Sequence, residues 1–287
     1  MPDRVTDLRD AAAPTPTALH SADLVKAVLR TVRRTPRGRM GQALRAVLRT
    51  FGPVVPMGDG DAKTDAPGTY RPVGPACPTT CPLLPVHATG TGLVDWGYVD
   101  ALAALLKEYT KQTRRAPDAG PLAWTYTHEE DPATVEELRR RLPWVSIRHS
   151  DHDGHGGAIV LPFERVKGLR DAGLSPLKCP AQRKDEHGAP LATCITCRAC
   201  WEKPQRLIVF DPHGGWEAKL RQALETGSSM AATCYAAGGN VALHERRATV
   251  SAWAAARTAL GAIAWAEATG RLARLHVSGD FHGGQVS

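Results

Sequence analysis

Apolar residues recur at helical spacing in several separated stretches of this chain and bunch into short runs between them. In residues 21–34, Leu24, Val25, Val28 and Leu29 share one side of a helix that Ser21 is placed to cap, and Pro36 and Gly38 break it. The helical pattern resumes from Gly41 to Phe51. Met57 to Gly68 is rich in Gly, Asp and Pro, which predicts a linker over 57–68. Beyond it, Tyr98 to Tyr109 reads as a helix with Val99, Leu102, Leu105 and Leu106 on one face. Leu122 to Thr127 reads as a strand, and Asp131-Pro132 opens a helix that runs to Arg141. Trp144 to Ile147 and Ala158 to Phe163 are further strand candidates. An alanine-rich stretch from about Val241 to Thr269 predicts a long helix that Gly270 stops, and Leu272 to Ser278 follows as a buried strand. Strands alternating with helices predict an α/β fold, with a parallel sheet or a partial (β/α) barrel.

In such sheets, ligands gather at the carboxyl ends of strands. Those ends here are Thr127-His128, Arg148-His149-Ser150-Asp151 and Ser278-Gly279-Asp280. Each lies where an apolar run turns polar. His149, His152 and His155 with Asp151 and Asp153 form a glycine-flanked loop that could hold a divalent ion or simply face solvent.

Charge changes the picture at one end. Residues 1–56 hold ten Lys and Arg against four Asp, a surplus of six out of a net charge of +7. The rest of the chain is therefore close to neutral. This head predicts a basic, partly helical or disordered extension, and Arg33, Arg34, Arg37 and Arg39 are its candidate nucleic-acid contacts. It has little base-reading chemistry, so contact would be independent of sequence. Asp3, Arg4, Asp7, Arg9 and Asp10 interrupt any leader-like apolar run, and Val250 to Ala266 is mostly alanine and contains Arg257. The expectation is a cytoplasmic protein without a membrane span.

Cysteine spacing carries the chemistry. Cys194, Cys197 and Cys200 follow one another at two-residue gaps, with Cys179 fifteen residues upstream of Cys194. In a reducing compartment such spacing favours metal over disulfide. Consecutive gaps of this kind look like a ferredoxin-type iron–sulfur run, and four thiolates would equally close a structural zinc site. This predicts a metal module at about 175–206. A second pair, Cys77 and Cys81, is flanked by prolines.

Several of these words together resemble a phage protein family known mainly as gene product eighty-eight. They are Tyr70-Arg71-Pro72-Val73-Gly74 with Cys77 and Cys81, Trp124-Thr125-Tyr126-Thr127-His128, and Cys234-Tyr235-Ala236 with His244-Glu245 and Arg247. The run His276 to Phe281 and the four-cysteine group complete the set. The resemblance covers residues 68–287 and not the basic head. That family in turn is similar to radical S-adenosylmethionine enzymes. The resemblance implies that Cys77, Cys81 and Cys234 hold a 4Fe–4S cluster with one iron left open to S-adenosylmethionine. It implies that Ser278, Gly279 and Asp280, with Thr127 and His128, support that cofactor. It also implies a change of segment order: the block at 233–281 belongs, in the family, between Cys81 and Asp95. If the block still docks in its slot, residues 272–278 lie beside 122–127.

Two functions follow. One is an iron–sulfur, radical S-adenosylmethionine-like enzyme of phage type acting on an unknown substrate. The other is a zinc-stapled, non-enzymatic, nucleic-acid-binding phage protein that makes its contacts through the head.

Overall fold

A computed structural model of the chain describes residues 18–60, 65–69, 94–116, 118–127, 129, 131–150, 156–203, 205–211 and 251–276. In chain order the first elements are helices α1 (Ala18–Arg34) and α2 (Met40–Arg49), strands β1 (Met57–Gly58) and β2 (Gly68–Thr69), helix α3 (Trp96–Thr113), strand β3 (Ala123–Thr127) and helix α4 (Pro132–Arg141). Strands β4 (Val145–His149) and β5 (Ala158–Val160), helix α5 (Val166–Asp171) and strand β6 (Pro176–Lys178) follow. The short helices α6 (Cys194–Cys197) and α7 (Ala199–Glu202), strand β7 (Leu207–Phe210), helix α8 (Ala252–Ala268) and strand β8 (Ala273–Arg274) complete the set.

The apolar stripe of the head makes α1 and α2, but Ser21 does not cap the first. The helix begins three residues earlier, and Ser21 is buried in its first turn. Leu24, Val25, Val28, Met40, Leu44 and Leu48 join a core shared with α3 and α8. Each such side chain is worth about 1.5–3 kcal/mol on burial. The described part of the basic head is thus a wall of the main core, with its charges turned outward.

Helix α8 is buried on nearly every side. Ser251 caps it by accepting from the Ala254 amide at 3.3 Å, and Gly270 ends it with a left-handed φ of +71°. Residues 241–250, read from the sequence as its first turns, lie outside the described residues. Alanines let α3 and α2 approach closely, and glycine does so at two points. A Cβ on Gly261 would stand 2.8 Å from a Leu48 methyl carbon, and one on Gly41 2.7 Å from the Trp265 ring.

Five strands form one sheet in the order β1-β2-β8-β3-β4. Only β1–β2 is antiparallel; the other pairs are parallel. The expected neighbourhood is present: Ala273 pairs with Ala123 and Arg274 with Trp124. On its other side, β8 pairs with β2 through Gly68 and Arg274. A strand from the end of the chain therefore sits between two strands that come earlier. The 57–68 stretch, read as a linker, carries β1 and β2 at its ends.

The second sheet, β5-β7-β6, is wholly parallel. A single parallel bridge, Ser150 to Ala158, joins its edge to the end of β4. The described strands thus make two open sheets, one mostly and one wholly parallel, that meet edge to edge, and no barrel closure occurs among them. No described helix is long and apolar enough to cross a membrane.

Candidate metal centre

The four clustered cysteines lie where the two sheets meet. Cys179 follows β6, and its amide still donates to the Val209 carbonyl at 2.8 Å, so the sheet fixes its backbone. Thr193 and Thr196 close α6 with a reciprocal capping box. Arg198 then takes a left-handed φ of 58° and turns the chain into α7, so Cys194, Cys197 and Cys200 sit on two short turns joined by a reversal. Cys179 and Cys200 are buried, Cys194 and Cys197 half-buried, and all four are thiols.

Tyr126 is the meeting point. Cys194 and Cys200 share an apolar group with Trp124, Trp201 and Tyr126. Cys197 belongs to a second group with Ala158, Ile208, Phe210 and again Tyr126. The Tyr126 hydroxyl donates to the Cys200 sulfur at 2.9 Å. Trp201, buried beside Cys200, packs on Trp124 with ring centres 4.8 Å apart and the rings tilted by 38°.

Burial pushes the Cys200 thiol up, and the nearby Cys179 and Cys197 push it further. The Tyr126 hydrogen bond and the Arg148 charge act the other way. Burial also holds the Tyr126 hydroxyl well above its ordinary range, with Cys200 and Cys194 adding to the effect. Sulfurs that raise one another's pKa resist ionising together unless a cation is supplied, and thiolate metal sites have that donor chemistry. Among the described residues, no three His, Cys, Asp or Glu side chains are drawn to ligating distance. The four sulfurs lie within electrostatic reach of one another or of the Tyr126 hydroxyl, without forming a ligand cage.

Arg148 ties α7 to the first sheet. Its guanidinium is buried and donates to the carbonyls of Cys200 at 2.7 Å, Ala199 at 3.0 Å, Arg206 at 2.8 Å and Gly156 at 3.0 Å, and to that of Lys203. Burial lowers its pKa, while the neighbouring Cys200 and Tyr126 act to raise it. One side chain thus adds a donor to the Ala199, Cys200 and Lys203 carbonyls around α7, beside the backbone bonds of the Lys203 amide to Ala199 at 3.3 Å and the Arg206 amide to Lys203 at 3.1 Å.

A second polar group sits at the carboxyl edge of the first sheet. His276, at the end of β8, has a φ of 52° and is buried. Its Nε2 is hydrogen-bonded to the Tyr98 hydroxyl at 2.8 Å, and its amide donates to Thr69 Oγ1 at 3.3 Å. Thr125 Oγ1 donates to the Leu275 carbonyl at 3.0 Å. β2, β8, β3 and α3 are tied together at this edge. β2 and β8 run parallel, so both strands end at this edge.

Of the residues expected at a cofactor site, Cys77, Cys81, Cys234, His128, Ser278, Gly279 and Asp280 lie outside the described residues, as do 151–155 of the histidine loop. Thr127 is buried. Its hydroxyl accepts from the Glu129 amide at 3.1 Å and its carbonyl from the Ser150 amide at 2.7 Å, so it secures the strand ends. Arg33, Arg34, Arg37 and Arg39 are all exposed, the last two on a 3-10 turn between α1 and α2.

Sequence reasoning put Arg148 at a strand end and Tyr126 in a resembling word, but gave neither a role at the cysteines. Strict alternation in Trp124-Thr125-Tyr126-Thr127 does put Trp124 and Tyr126 on one face, the face that meets the cysteines. Nothing local marks Arg148, because most of its acceptors lie some fifty residues away. Compared with protein-family profiles, curated proteins and solved structures, the chain finds no match.

Proposed function

We propose that this chain is an iron–sulfur protein of radical S-adenosylmethionine-like type, with Cys179, Cys194, Cys197 and Cys200 holding a cluster. One observation carries the reading: Cys194, Cys197 and Cys200 pack around half-buried Tyr126, Cys179 lies within electrostatic reach of Cys200, and Arg148 clamps the helix that carries Cys200. In this reading the two sheets are arcs of one partial barrel, with the chemistry at its carboxyl edge. Cys77, Cys81 and Cys234 are assigned to a second cluster, with Ser278, Gly279, Asp280, Thr127 and His128 supporting S-adenosylmethionine. The adjacency of β8 to β3 supports that assignment, because the resemblance implies it for a block docked in its family slot.

When bound, the clusters and S-adenosylmethionine supply one-electron chemistry. The residues do the rest. Tyr126 donates a hydrogen bond to a ligand sulfur and so tunes it, Trp124 and Trp201 exclude water, and Arg148 fixes the turn that presents Cys200. Lys203 and Arg206 flank the module and would favour an acidic substrate of unknown identity.

Zinc on the same four thiolates is the competing occupant. Anaerobic purification of the full chain, followed by iron, sulfide and zinc analysis, decides between them. Iron with equimolar sulfide and broad absorbance near about 400 nm supports the proposal. A colourless protein with stoichiometric zinc overturns it.

A further inference from the structure

We propose that the groove between α1 and α3 binds the phosphate backbone of duplex nucleic acid, independently of the cysteine group. The groove encloses about 740 Å³ and is lined by Lys26, Arg30, Arg33, Arg34 and Lys111, with Glu108 as its one acid. The four cations of α1 fall at i, i+4, i+7 and i+8. That spacing keeps them on one helical face over about 12 Å of axis. The opposite face carries Leu24, Val25 and Val28 into the core, so the charges stand on a rigid support. All four are exposed, and none has a carboxylate partner among the described residues. Lys111 reaches Glu108 only at 3.8 Å. The chain elsewhere pairs arginines closely, as in Arg140 with Glu137 and Arg141 with Asp100, both at 2.6 Å.

Concave placement of unpaired cations concentrates the field and suits a charged chain better than a flat surface. A lipid bilayer also calls for apolar side chains at the rim. The one exposed large hydrophobic among the described residues is Leu191, which does not line the groove. No aromatic side chain lines it either, so it lacks the stacking platforms that hold single strands. Arginine forks and lysine points facing a groove without base-reading groups fit a phosphate backbone of any sequence. Only Arg33 and Arg34 of this set were apparent as contacts from sequence. Lys26, Arg30 and Lys111 join them through the packing of α1 on α3.

Fluorescence anisotropy of the full chain with a short labelled DNA duplex of random sequence tests this. If all five cations meet phosphate, log affinity falls with log salt at a slope near −4.5, or about 500-fold from 50 to 200 mM salt. The variant R30Q/R33Q/R34Q should lose about 2.7 from that slope and fall only about 12-fold over the same range. K167Q/R170Q on α5 should behave as wild type. If the triple variant melts early, R30Q alone should still lose about 0.9. Salt-independent or absent duplex binding, an unchanged slope in the variants, or preference for single strands or for phosphatidylserine vesicles over duplex each overturns the proposal.

Discussion

The Arg148 guanidinium donates through Nε to the Cys200 carbonyl at 2.7 Å, joining the end of β4 to the helix that carries the last cysteine of the cluster. The same group reaches the carbonyls of Ala199, Lys203 and Arg206, so one cation closes the end of α7. Replacing it removes five donated bonds at once, although the Ala199 and Lys203 carbonyls keep a backbone donor each. Arg148→Met should destabilise the protein by about 3–5 kcal/mol. Arg148→Lys should recover only a fraction, because an ammonium cannot span the fork. Urea unfolding of the three proteins checks this, and equal midpoints would show that the clamp is incidental.

Tyr126→Phe removes one oxygen and keeps the ring. The Cys200 sulfur loses its donor at 2.9 Å, and stability should drop by only about 0.5–1.5 kcal/mol. If the four thiols hold an iron–sulfur cluster, a hydrogen bond to a ligand sulfur stabilises its reduced state. The variant should then keep its iron and show a more negative reduction potential by electrochemistry. An unchanged potential in an iron-loaded variant would place the tyrosine outside the electronic reach of the site.

Most helices were legible in the sequence because each obeys a local rule. Asp131 caps α4 from the position its spacing suggests, accepting from the Ala133 and Thr134 amides at 3.2 and 3.0 Å. The pairing of β8 with β3 was legible only through the resemblance, since nothing in residues 272–278 names a partner strand, and the pairing of β8 with β2 was not legible. The packed state of the head was not legible. A charged helix with one apolar stripe looks alike whether the stripe meets a core or another molecule. β6, β7 and α5 were missed because runs as short as Pro176–Lys178 carry too few positions to show a period. Deleting residues 1–56 is consequently no clean test of nucleic-acid binding, since it removes Leu44 and Leu48 from the core together with the charges.

Gly41 in α2 faces the Trp265 indole of α8 with room only for hydrogen. Gly41→Ala gains up to about 1 kcal/mol of helix propensity. The added methyl would stand 2.7 Å from a rigid buried ring, and overpacking of this kind costs about 1–3 kcal/mol. A net drop in melting temperature of a few degrees is expected by calorimetry. Gly41→Ala combined with Trp265→Phe should lose less than the sum of the two single changes, because the smaller ring vacates the space.

Arg257 is fully buried in α8, and its guanidinium meets little that is polar. Nη2 donates to the Pro53 carbonyl, and the group lies 5.7 Å from the Trp253 ring centre. Nε and Nη1 have no hydrogen-bond partner among the described residues. Burial alone pushes its pKa down to about 10, well below the ordinary arginine range. The unfolded chain therefore binds this proton more tightly than the folded one. The charge destabilises the fold at every pH below about 10, and that penalty fades as pH rises through 10 toward the ordinary arginine range. Arg257→Met keeps the length, gives up one hydrogen bond and removes the buried charge. At neutral pH it should stabilise the protein by about 1–3 kcal/mol, by analogy with apolar replacements of buried ions. That corresponds to about 2–4 °C in melting temperature per kcal/mol at this chain length. The gain should narrow between pH 7 and pH 10.5, on approach to the region where the wild-type group titrates. A variant that melts below wild type at pH 7 would mean that the Pro53 bond and the indole contact outweigh desolvation. Arg257 would then be a pin that holds the turn after α2 against α8.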